Sequence, residues 1–217
     1  MEIGILGTGV VGQTIGSKLT QLGHHVMMGS RDPANPKAIA WARQEGSQRR
    51  ALYGTFANAA AFGEVLFNCT LGSASLEALQ QAGAENMKGK ILIDMANPID
   101  YSTDPITLTV CNTDSLGEQI QRAFPETKVV KSLNNMNCNV MIDPAKLAER
   151  SDAFVSGNDV EAKVQVITYL REWFGWKSVI DLGDITTSRG VEMIIPFWLS
   201  VRKTVSGNRF NIRIVTS

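Results

Sequence analysis

Short apolar runs alternate with helical patterns along most of the chain. Eight runs have the length and the β-branched content of buried strands, and most are separated by segments whose apolar residues recur every three or four positions. The predicted strands are Glu2–Leu6, His25–Met28, Ala51–Tyr53, Glu64–Cys69, Lys90–Asp94, Lys128–Leu133, Ala153–Ser156 and Ser178–Asp181. This alternation predicts an α/β fold: a doubly wound parallel sheet of the Rossmann type, with helices on both faces and a ligand crevice between the first and fourth strands.

The helical patterns lie between these strands, as the fold requires. The predicted helices are Val10–Leu22, Pro36–Glu45, Ala57–Phe62, Ser75–Gln81, Leu116–Ala123 and Val160–Phe174. Either Asn158 or Asp159 is the expected N-cap of the last helix, because both side chains accept hydrogen bonds from helix amides.

The tail of the chain departs from this alternation. From Asp184 a helical pattern follows that is apolar around much of its circumference over Met193–Val201. Pro196 lies within it and predicts a kink, because proline removes one helical hydrogen bond. A last strand is predicted at Phe210–Val215. Since the sheet covers only one side of such a helix, we expect the other side to face a second subunit, a second cofactor or both.

Glycines at positions 7, 9 and 12 follow the first predicted strand directly and open the first helix. In this pattern Gly7 permits a tight turn, Gly9 lets backbone amides approach a pyrophosphate, and Gly12 lets the helix cross close to the strand. The helix N-terminus then binds the phosphates. The pattern indicates a dinucleotide site, and the alternative is an ordinary structural turn.

The end of the second strand indicates which dinucleotide is bound. A site specific for NAD ends this strand with Asp or Glu, which accepts hydrogen bonds from the ribose. This chain has Ser30 and Arg31 there, a hydroxyl beside a planar guanidinium, and these groups fit the 2′-phosphate of NADP. The alternative is that Arg31 is a solvated surface charge and that Asp32 binds the ribose. Asp32 lies two positions beyond the strand end and precedes Pro33, which disfavours this alternative.

Composition narrows the class of partner. The 217 residues show no linker, so a single domain over 1–217 is expected. Lys and Arg number 21, as do Asp and Glu, which gives no indication of a nucleic-acid partner or an electrostatic membrane anchor. The longest strongly apolar stretch, Met193–Leu199, is far shorter than a membrane span. We expect a cytoplasmic protein with a small-molecule partner, and reduced thiols at Cys69, Cys111 and Cys138, whose spacing fits no redox pair or metal knuckle.

Ligands of a doubly wound sheet bind beyond the carboxyl ends of the strands, which selects the loops that carry the chemistry. The expected site loops are Asn68–Ser73, Asp94–Pro98 and Ser132–Asn139. The last contains four amide side chains after Leu133, which either bind a nicotinamide carboxamide or only stabilise turns.

Groups for acid–base or metal chemistry are missing from these loops. His24 and His25 enter the second strand at the opposite edge of the sheet, and no Ser/His/Asp order or metal-ligand spacing occurs. We therefore predict no catalytic side chain and no metal site, with Cys69 and Cys138 as buried fillers. Hydride transfer between two redox rings fits this composition, because it requires chiefly alignment and exclusion of water.

Four segments together resemble a known family. The sequences of Gly7–Gly12, Gly29–Arg31, Lys131–Asn135 and the stretch from Ser188 through Ile214 resemble those of the deazaflavin-dependent NADP oxidoreductases. They are similar also to the cytosolic reductase domains of six-transmembrane ferric and cupric metalloreductases. The resemblance implies a homodimer in which NADPH passes a hydride to a 5-deazaflavin or flavin ring held against residues 184–217.

The resemblance also implies a set of binding residues. Thr8, Val10 and Val11 would contact the pyrophosphate beside Gly7, Gly9 and Gly12, while Ser30 and Arg31 would bind the 2′-phosphate, and Thr70, Leu71, Asn97 and Cys138 would form the nicotinamide side.

Three rival functions stay open at this point. One is a redox sensor that binds NADPH without turnover, and another is a domain like those of the ferric and cupric reductases. The third is an imine or hydroxy-acid reductase, whose catalytic groups lie on a long helical second domain. The residues after Ser178–Asp181 are too few for such a domain, which disfavours the third function.

Overall fold

The computed structural model of the protein describes residues 1–45, 50–205 and 209–217. The strands are β1 (Glu2–Leu6), β2 (His25–Ser30), β3 (Ala51–Thr55), β4 (Val65–Asn68), β5 (Ile91–Asp94), β6 (Ile99–Asp100), β7 (Thr107–Leu108), β8 (Lys128–Ser132), β9 (Asp152–Gly157) and β10 (Ser178–Asp181). The helices are α1 (Val10–Gln21), α2 (Pro36–Glu45), α3 (Phe56–Phe62), α4 (Gly72–Ala82), α5 (Ala84–Met87), α6 (Leu116–Ala123), α7 (Cys138–Met141), α8 (Val160–Phe174) and α9 (Ser188–Thr204).

All eight predicted strands lie in one sheet, in the order β10-β9-β8-β5-β4-β1-β2-β3. The order reverses between β1 and β4, so the doubly wound fold and its switch point between these two strands are confirmed. The six strands from β3 to β8 in this order are mutually parallel.

The prediction of a fully parallel sheet is wrong for its last two strands. Strand β9 pairs antiparallel to β8, and β10 is parallel to β9. Between β8 and β9 the chain forms only α7 and a 3₁₀ turn at Pro144–Lys146, without the long crossover helix that a parallel return requires. The connection therefore stays at the carboxyl edge of the sheet. A strand buried on both faces has the same apolar pattern in either direction, so the pattern did not show the reversal.

Alternate strand residues pack on opposite faces of the sheet. Ile3 and Ile5 lie in one core cluster, together with apolar residues of α1, α2 and α8. Leu6 and Leu66 lie in the other cluster, beneath α3, α4 and α6. The side-chain period of two thus gives each face its own helical layer, and the sheet is covered as the pattern predicts.

All six predicted helices form, and the short helices α5 and α7 were not predicted. Helix α4 begins at Gly72 rather than Ser75, because its first turn is made of small residues without an apolar period. The N-cap of α8 is Asp159, whose carboxylate accepts a hydrogen bond from the Ala162 amide at 2.8 Å. The other candidate, Asn158, instead accepts a hydrogen bond from the Ile185 amide at 3.0 Å.

Helix α9 is continuous through Pro196 and is buried on one side only. Ile195 and Trp198 are buried, whereas Phe197 is 59% exposed and Met193 is 38% exposed. The outer side of α9 therefore carries apolar side chains at the surface, and their covering by a second subunit or cofactor stays a prediction. None of the helices within the described ranges has the length and hydropathy needed to cross a membrane.

The predicted strand at Phe210–Val215 does not form. The segment has no regular secondary structure, and its carbonyl at Ile212 accepts a hydrogen bond from the Asp152 amide at 3.0 Å. The Ile214 amide donates to the Asp152 carboxylate at 2.6 Å, and Phe210 stacks on Trp198 with ring centroids 5.0 Å apart. Strand β8 pairs with β9 only over residues 155–157, and the described backbone hydrogen bonds of the tail to β9 are limited to Asp152, too few to form a strand.

Candidate functional site

The three glycines between β1 and α1 have different surroundings. Gly7 has a φ of +122°, and a side-chain carbon there would lie 2.6 Å from the Cys69 carbonyl oxygen. A side-chain carbon on Gly12 would lie 2.2 Å from the Gly7 carbonyl oxygen. At Gly9 no described atom lies within 4 Å of that position. Gly7 and Gly12 are therefore required by the fold itself, whereas Gly9 leaves open space in front of the helix.

Helix α1 presents its N-terminus at this open space. Gly9 is the N-cap, and none of the described side chains caps the helix. The amides of Val10, Val11 and Gly12 belong to the first turn, which has no helical acceptors for them. The Val10 side chain is exposed, Val11 packs on the core, and the Thr8 carbonyl accepts a hydrogen bond from the Gln13 side chain. Free amides and the helix dipole together make this end suited to an anionic group.

Ser30 and Arg31 follow at the carboxyl end of β2. The Ser30 hydroxyl donates to the Asp32 carbonyl, and the Asp32 carboxylate accepts a hydrogen bond from the Ala34 amide at 2.8 Å. Asp32 therefore stabilises its own turn. The Arg31 side chain is 69% exposed, and its only described ion pair, with Glu77 of α4, is long at 3.7 Å. An exposed pair at that distance is worth little, so the guanidinium is available to a ligand.

The loop after β4 is fixed by the buried side chain of Asn68. Its amide nitrogen donates to Asp94 at 2.7 Å and to Ser75 at 3.2 Å, and its oxygen accepts from the Thr70 hydroxyl at 2.6 Å. Leu71 is exposed and is the N-cap of α4. Thr70 is thus held in place by a buried network, while Leu71 projects from it.

The loops after β5 and β8 are joined by a reciprocal pair of amides. The Asn97 side chain donates to the Asn134 carbonyl at 2.7 Å, and the Asn134 side chain donates to Asn97 Oδ1 at 2.8 Å. The Asn134 amide also donates to the Val191 carbonyl of α9 at 2.9 Å. A side-chain carbon on Gly72 would lie 1.8 Å from the Asn97 carbonyl oxygen, so the loops after β4 and β5 are in contact as well.

The four amides of the β8 loop have different roles. Asn134 links the loop to α9, as described above, and Asn137 caps α7 by accepting from the Asn139 amide at 2.9 Å. Asn135 is 1% exposed, and its side-chain nitrogen has no acceptor among the described residues. A buried donor of this kind costs free energy unless a ligand or water satisfies it. Asn135 is the one amide of this loop whose geometry favours ligand contact.

The cysteines expected to be fillers are in protected positions. Cys138 is 8% exposed and accepts a hydrogen bond from the Thr14 hydroxyl of α1 at 3.6 Å, which brings the β8 loop next to the glycine-rich helix. Burial, and then the negative charge of Asp94, raise the pKa of the Cys69 thiol far above its ordinary value. Cys69 therefore carries its proton at neutral pH and lacks the thiolate that a nucleophile needs.

A buried ion cluster lies behind these loops, and sequence reasoning missed it. Lys131 of β8 is 0% exposed; its ammonium is 2.5 Å from Asp94 Oδ2 and 2.8 Å from Glu192 Oε1, and it donates to the Ala96 carbonyl at 2.7 Å. Burial opposes the charge on Lys131, but the two carboxylates outweigh burial and raise its pKa above the ordinary value. The signal was present in the sequence as a lysine within an apolar strand and a glutamate within an apolar helix.

Glu192 also caps another helix. Its two oxygens accept hydrogen bonds from the Leu116 amide at 2.9 Å and the Gly117 amide at 3.0 Å, at the start of α6. The cluster of Asp94, Lys131 and Glu192, called the ion cluster below, therefore ties together β5, β8, α6 and α9.

The titratable groups at this edge of the sheet are unevenly distributed. The glycine loop, Thr70, Asn97 and Cys138 follow β1, β4, β5 and β8 at the carboxyl edge, whereas His24 and His25 lie at the amino end of β2. The carboxylates of Asp94 and Glu192 are bound within the ion cluster, and those of Asp32 and Glu77 lie beside Arg31. Among the described residues, no three His, Cys, Asp or Glu side chains are grouped closely enough to hold a metal ion.

Comparisons with known proteins agree with this geometry. Residues 2–98 match the family model described as "NADP oxidoreductase coenzyme F420-dependent". The chain is similar over its whole length to a proposed F420-dependent NADP-reductase from Arthrobacter sp. FB24, whose crystal structure gives a TM-score of 0.94 with 47% identity and complete coverage of both chains.

Two curated proteins are more distant. The F420-dependent NADP reductase of Methanothermobacter marburgensis is 26% identical over 93% of this chain and 92% of its own length. Metalloreductase STEAP3 of Rattus norvegicus is 27% identical over 91% of this chain, but the match spans only 38% of that protein.

The environments of Gly9 and Gly12 predict opposite consequences of the same substitution. Gly9→Val should leave the free energy of unfolding nearly unchanged, because the added carbon meets no described atom within 4 Å, but it should abolish dinucleotide binding by filling the space before α1. Gly12→Val should destabilise the fold, because its carbon would lie 2.2 Å from the Gly7 carbonyl oxygen. Thermal unfolding and NADPH titration by fluorescence distinguish the two. Normal NADPH affinity in folded Gly9→Val would show that the glycines form only a structural turn.

Proposed function

Because the chain belongs to the F420-dependent NADP oxidoreductase family, we propose that it transfers a hydride between NADPH and a deazaflavin ring. The family assignment rests on the 47% identity to the Arthrobacter protein across the whole of both chains, together with the family model over residues 2–98. The observation that carries the proposal is the uncapped α1 N-terminus at the same edge of the sheet as an exposed arginine and the amide-rich loops.

The described residues fit NADPH in three respects. The space at Gly9 and the free amides of α1 suit a pyrophosphate. Ser30 and Arg31 suit a 2′-phosphate, since the guanidinium can form charge-assisted hydrogen bonds with it. For the nicotinamide we propose Thr70, Leu71, Asn97 and Cys138, together with the Asn135 side chain, whose buried nitrogen has no partner among the described residues.

When bound, NADPH supplies a hydride to the acceptor ring, whose added negative charge is then neutralised by a proton from solvent. The chain's own contribution is positional. Thr70 is held by Asn68, and Asn97 is held by Asn134, so hydrogen bonds within the chain position these walls of the site. Positioned walls favour hydride transfer, because alignment of the two rings supplies much of the rate.

We propose that residues 184–217 bind the acceptor and also form part of a homodimer interface. Phe197 and Met193 place apolar surface on the outer side of α9. Beside them a cavity of about 300 Å³ lies between α9 and the β6–β7 hairpin, lined by Pro105, Ile106, Pro196, Leu199, Ser200, Arg202 and Lys203. An apolar patch next to a cavity is typical of a site that a planar ring or a second subunit covers.

The decisive experiment offers the purified protein several acceptors at equal concentration and follows NADPH oxidation at 340 nm. The deazaflavin F420 should be reduced fastest, and flavin mononucleotide, a quinone and a ferric chelate are compared with it. The similarity to STEAP3 favours a second candidate, a flavin-mediated metal reductase, and fastest turnover with flavin plus ferric chelate would support it instead. Tight NADPH binding without turnover of any acceptor would identify a redox sensor.

Arg31→Ala should weaken binding of NADPH far more than that of NADH, because only NADPH loses a partner for its 2′-phosphate. We expect a loss of about 1.5–3 kcal/mol, or roughly ten- to a hundredfold in dissociation constant. Glu77→Gln is the matched control on the other side of the 3.7 Å ion pair, and it should leave NADPH binding intact or slightly tighter. An unchanged ratio of the two dissociation constants in Arg31→Ala would remove Arg31 from the cofactor site.

Phe197 and Trp198 are neighbours in sequence, but their substitutions should have different effects. Phe197→Ser should leave the fold and NADPH binding intact while weakening the dimer or acceptor turnover, because this side chain is 59% exposed. Trp198→Ala should lower the free energy of unfolding by about 3–5 kcal/mol, as expected for a buried aromatic side chain. Sedimentation, thermal unfolding and acceptor kinetics measure these effects. A monomeric wild-type protein together with full activity of Phe197→Ser would contradict the proposed role of α9.

A further inference from the structure

Two independent links join the loop after β5 to α9. In the first, the Lys131 ammonium contacts both the Ala96 carbonyl and the Glu192 carboxylate, at 2.7 and 2.8 Å. In the second, the Asn134 amide contacts both Asn97 Oδ1 and the Val191 carbonyl, at 2.8 and 2.9 Å. The neighbouring loop residues Ala96 and Asn97 are thus connected to the neighbouring helix residues Glu192 and Val191. Two such connections restrict both the rotation of α9 and its distance from the loop.

Stability alone does not explain why the first link is a buried ion pair. A buried ion pair often gives no more stability than apolar side chains of the same volume, because both charges lose their hydration. A second connection between α6 and α9 is already present nearer the surface, where Arg189 donates to Glu118 at 2.9 and 2.5 Å. What the ion cluster adds is a directional contact between α9 and the loop at Ala96.

The backbone that carries these links is strained. Leu133 lies between Lys131 and Asn134, is fully buried, and has a φ of +59°, a conformation that side-chain-bearing residues rarely adopt. Strain of this kind is retained where the surrounding structure holds a functional geometry. The next amide, that of Asn135, is the buried donor without a described partner. The strained turn therefore places the unsatisfied amide of Asn135 next in sequence to Asn134, which forms one of the two links to α9.

We propose that Lys131 and Glu192 are positioning residues that connect the nicotinamide loop to the acceptor-binding helix, so that occupation of the site by NADP orders α9. The inference rests on the proposed function, because it takes residues 94–97 as the nicotinamide side and α9 as the acceptor side. Movement of the Ala96 carbonyl on cofactor binding is transmitted through the Lys131 ammonium to Glu192. The acceptor site is then formed fully only when the hydride donor is present.

The test uses hydrogen exchange of the peptide covering residues 188–204, with and without NADP⁺, followed by mass spectrometry. In the wild-type protein NADP⁺ should slow exchange of this helix by about tenfold or more. In Glu192→Gln the slowing should fall below about twofold, while the dissociation constant of NADP⁺ changes by less than about threefold. Arg189→Gln is the matched control, because it lies one turn earlier on α9 and breaks the contact with α6 without touching the loop; it should retain the wild-type response.

A second variant covers the case in which Glu192→Gln does not fold. Asp94→Asn, Lys131→Met and Glu192→Gln combined remove all three charges of the ion cluster, so no buried charge is left without a partner. This variant should bind NADPH with an unchanged KM, show a raised KM for the acceptor, and lose the exchange response of α9. A purely structural role would instead lower the unfolding temperature and leave the two KM values in their wild-type ratio.

The outcomes separate this inference from the proposed function. If wild-type protein binds NADP⁺ and α9 exchange does not respond, the coupling is wrong and the proposed function stands. Equal responses in the wild type and in the folded variants would also overturn the coupling. If the wild-type protein does not bind NADP⁺ at all, both the function and the coupling are overturned.

Discussion

A fully buried ammonium group governs the architecture around the site. Lys131 cannot keep its charge inside the sheet without close anions, and it finds Asp94 on the neighbouring strand and Glu192 on α9. Glu192 in turn needs further donors, which the amides at the start of α6 provide. One charge requirement therefore fixes two helices and the loop after β5 relative to the sheet, and the polar walls of the site follow from it.

The carboxyl edge of the sheet is where these constraints meet the proposed chemistry. Strand β9 runs antiparallel to β8, so residues 133–151 remain at that edge, where Cys138 contacts Thr14 of α1 and Asn134 contacts Asn97. The proposed binding groups are thus backbone amides and side-chain amides that hold one another. Asp94 and Glu192 are bound within the ion cluster, which is consistent with a reaction that depends on alignment rather than on proton transfer by these side chains.

The parts that could be predicted from sequence are those determined by local backbone chemistry. The glycine pattern predicted the turn at Gly7 and the close crossing at Gly12, because only glycine tolerates those positions. Apolar runs predicted all eight strands of the sheet. The β6–β7 hairpin was missed, since its two-residue strands are too short for a periodic signal. The strand at Phe210–Val215 was predicted wrongly, because its alternation does not reveal that the segment meets the sheet only at Asp152.

The sequence by itself therefore determined the order of strands and helices, the dinucleotide loop and the polar end of β2, all of which depend on residues close together in the chain. Only the tertiary structure decided that Lys131 meets Asp94 and Glu192, that Asn97 and Asn134 bind each other, and that Phe197 faces outward while Trp198 is buried. These contacts join residues up to 61 positions apart in the Lys131–Glu192 pair. Their partners are selected by charge and hydrogen-bond satisfaction in the packed interior, which no local pattern encodes.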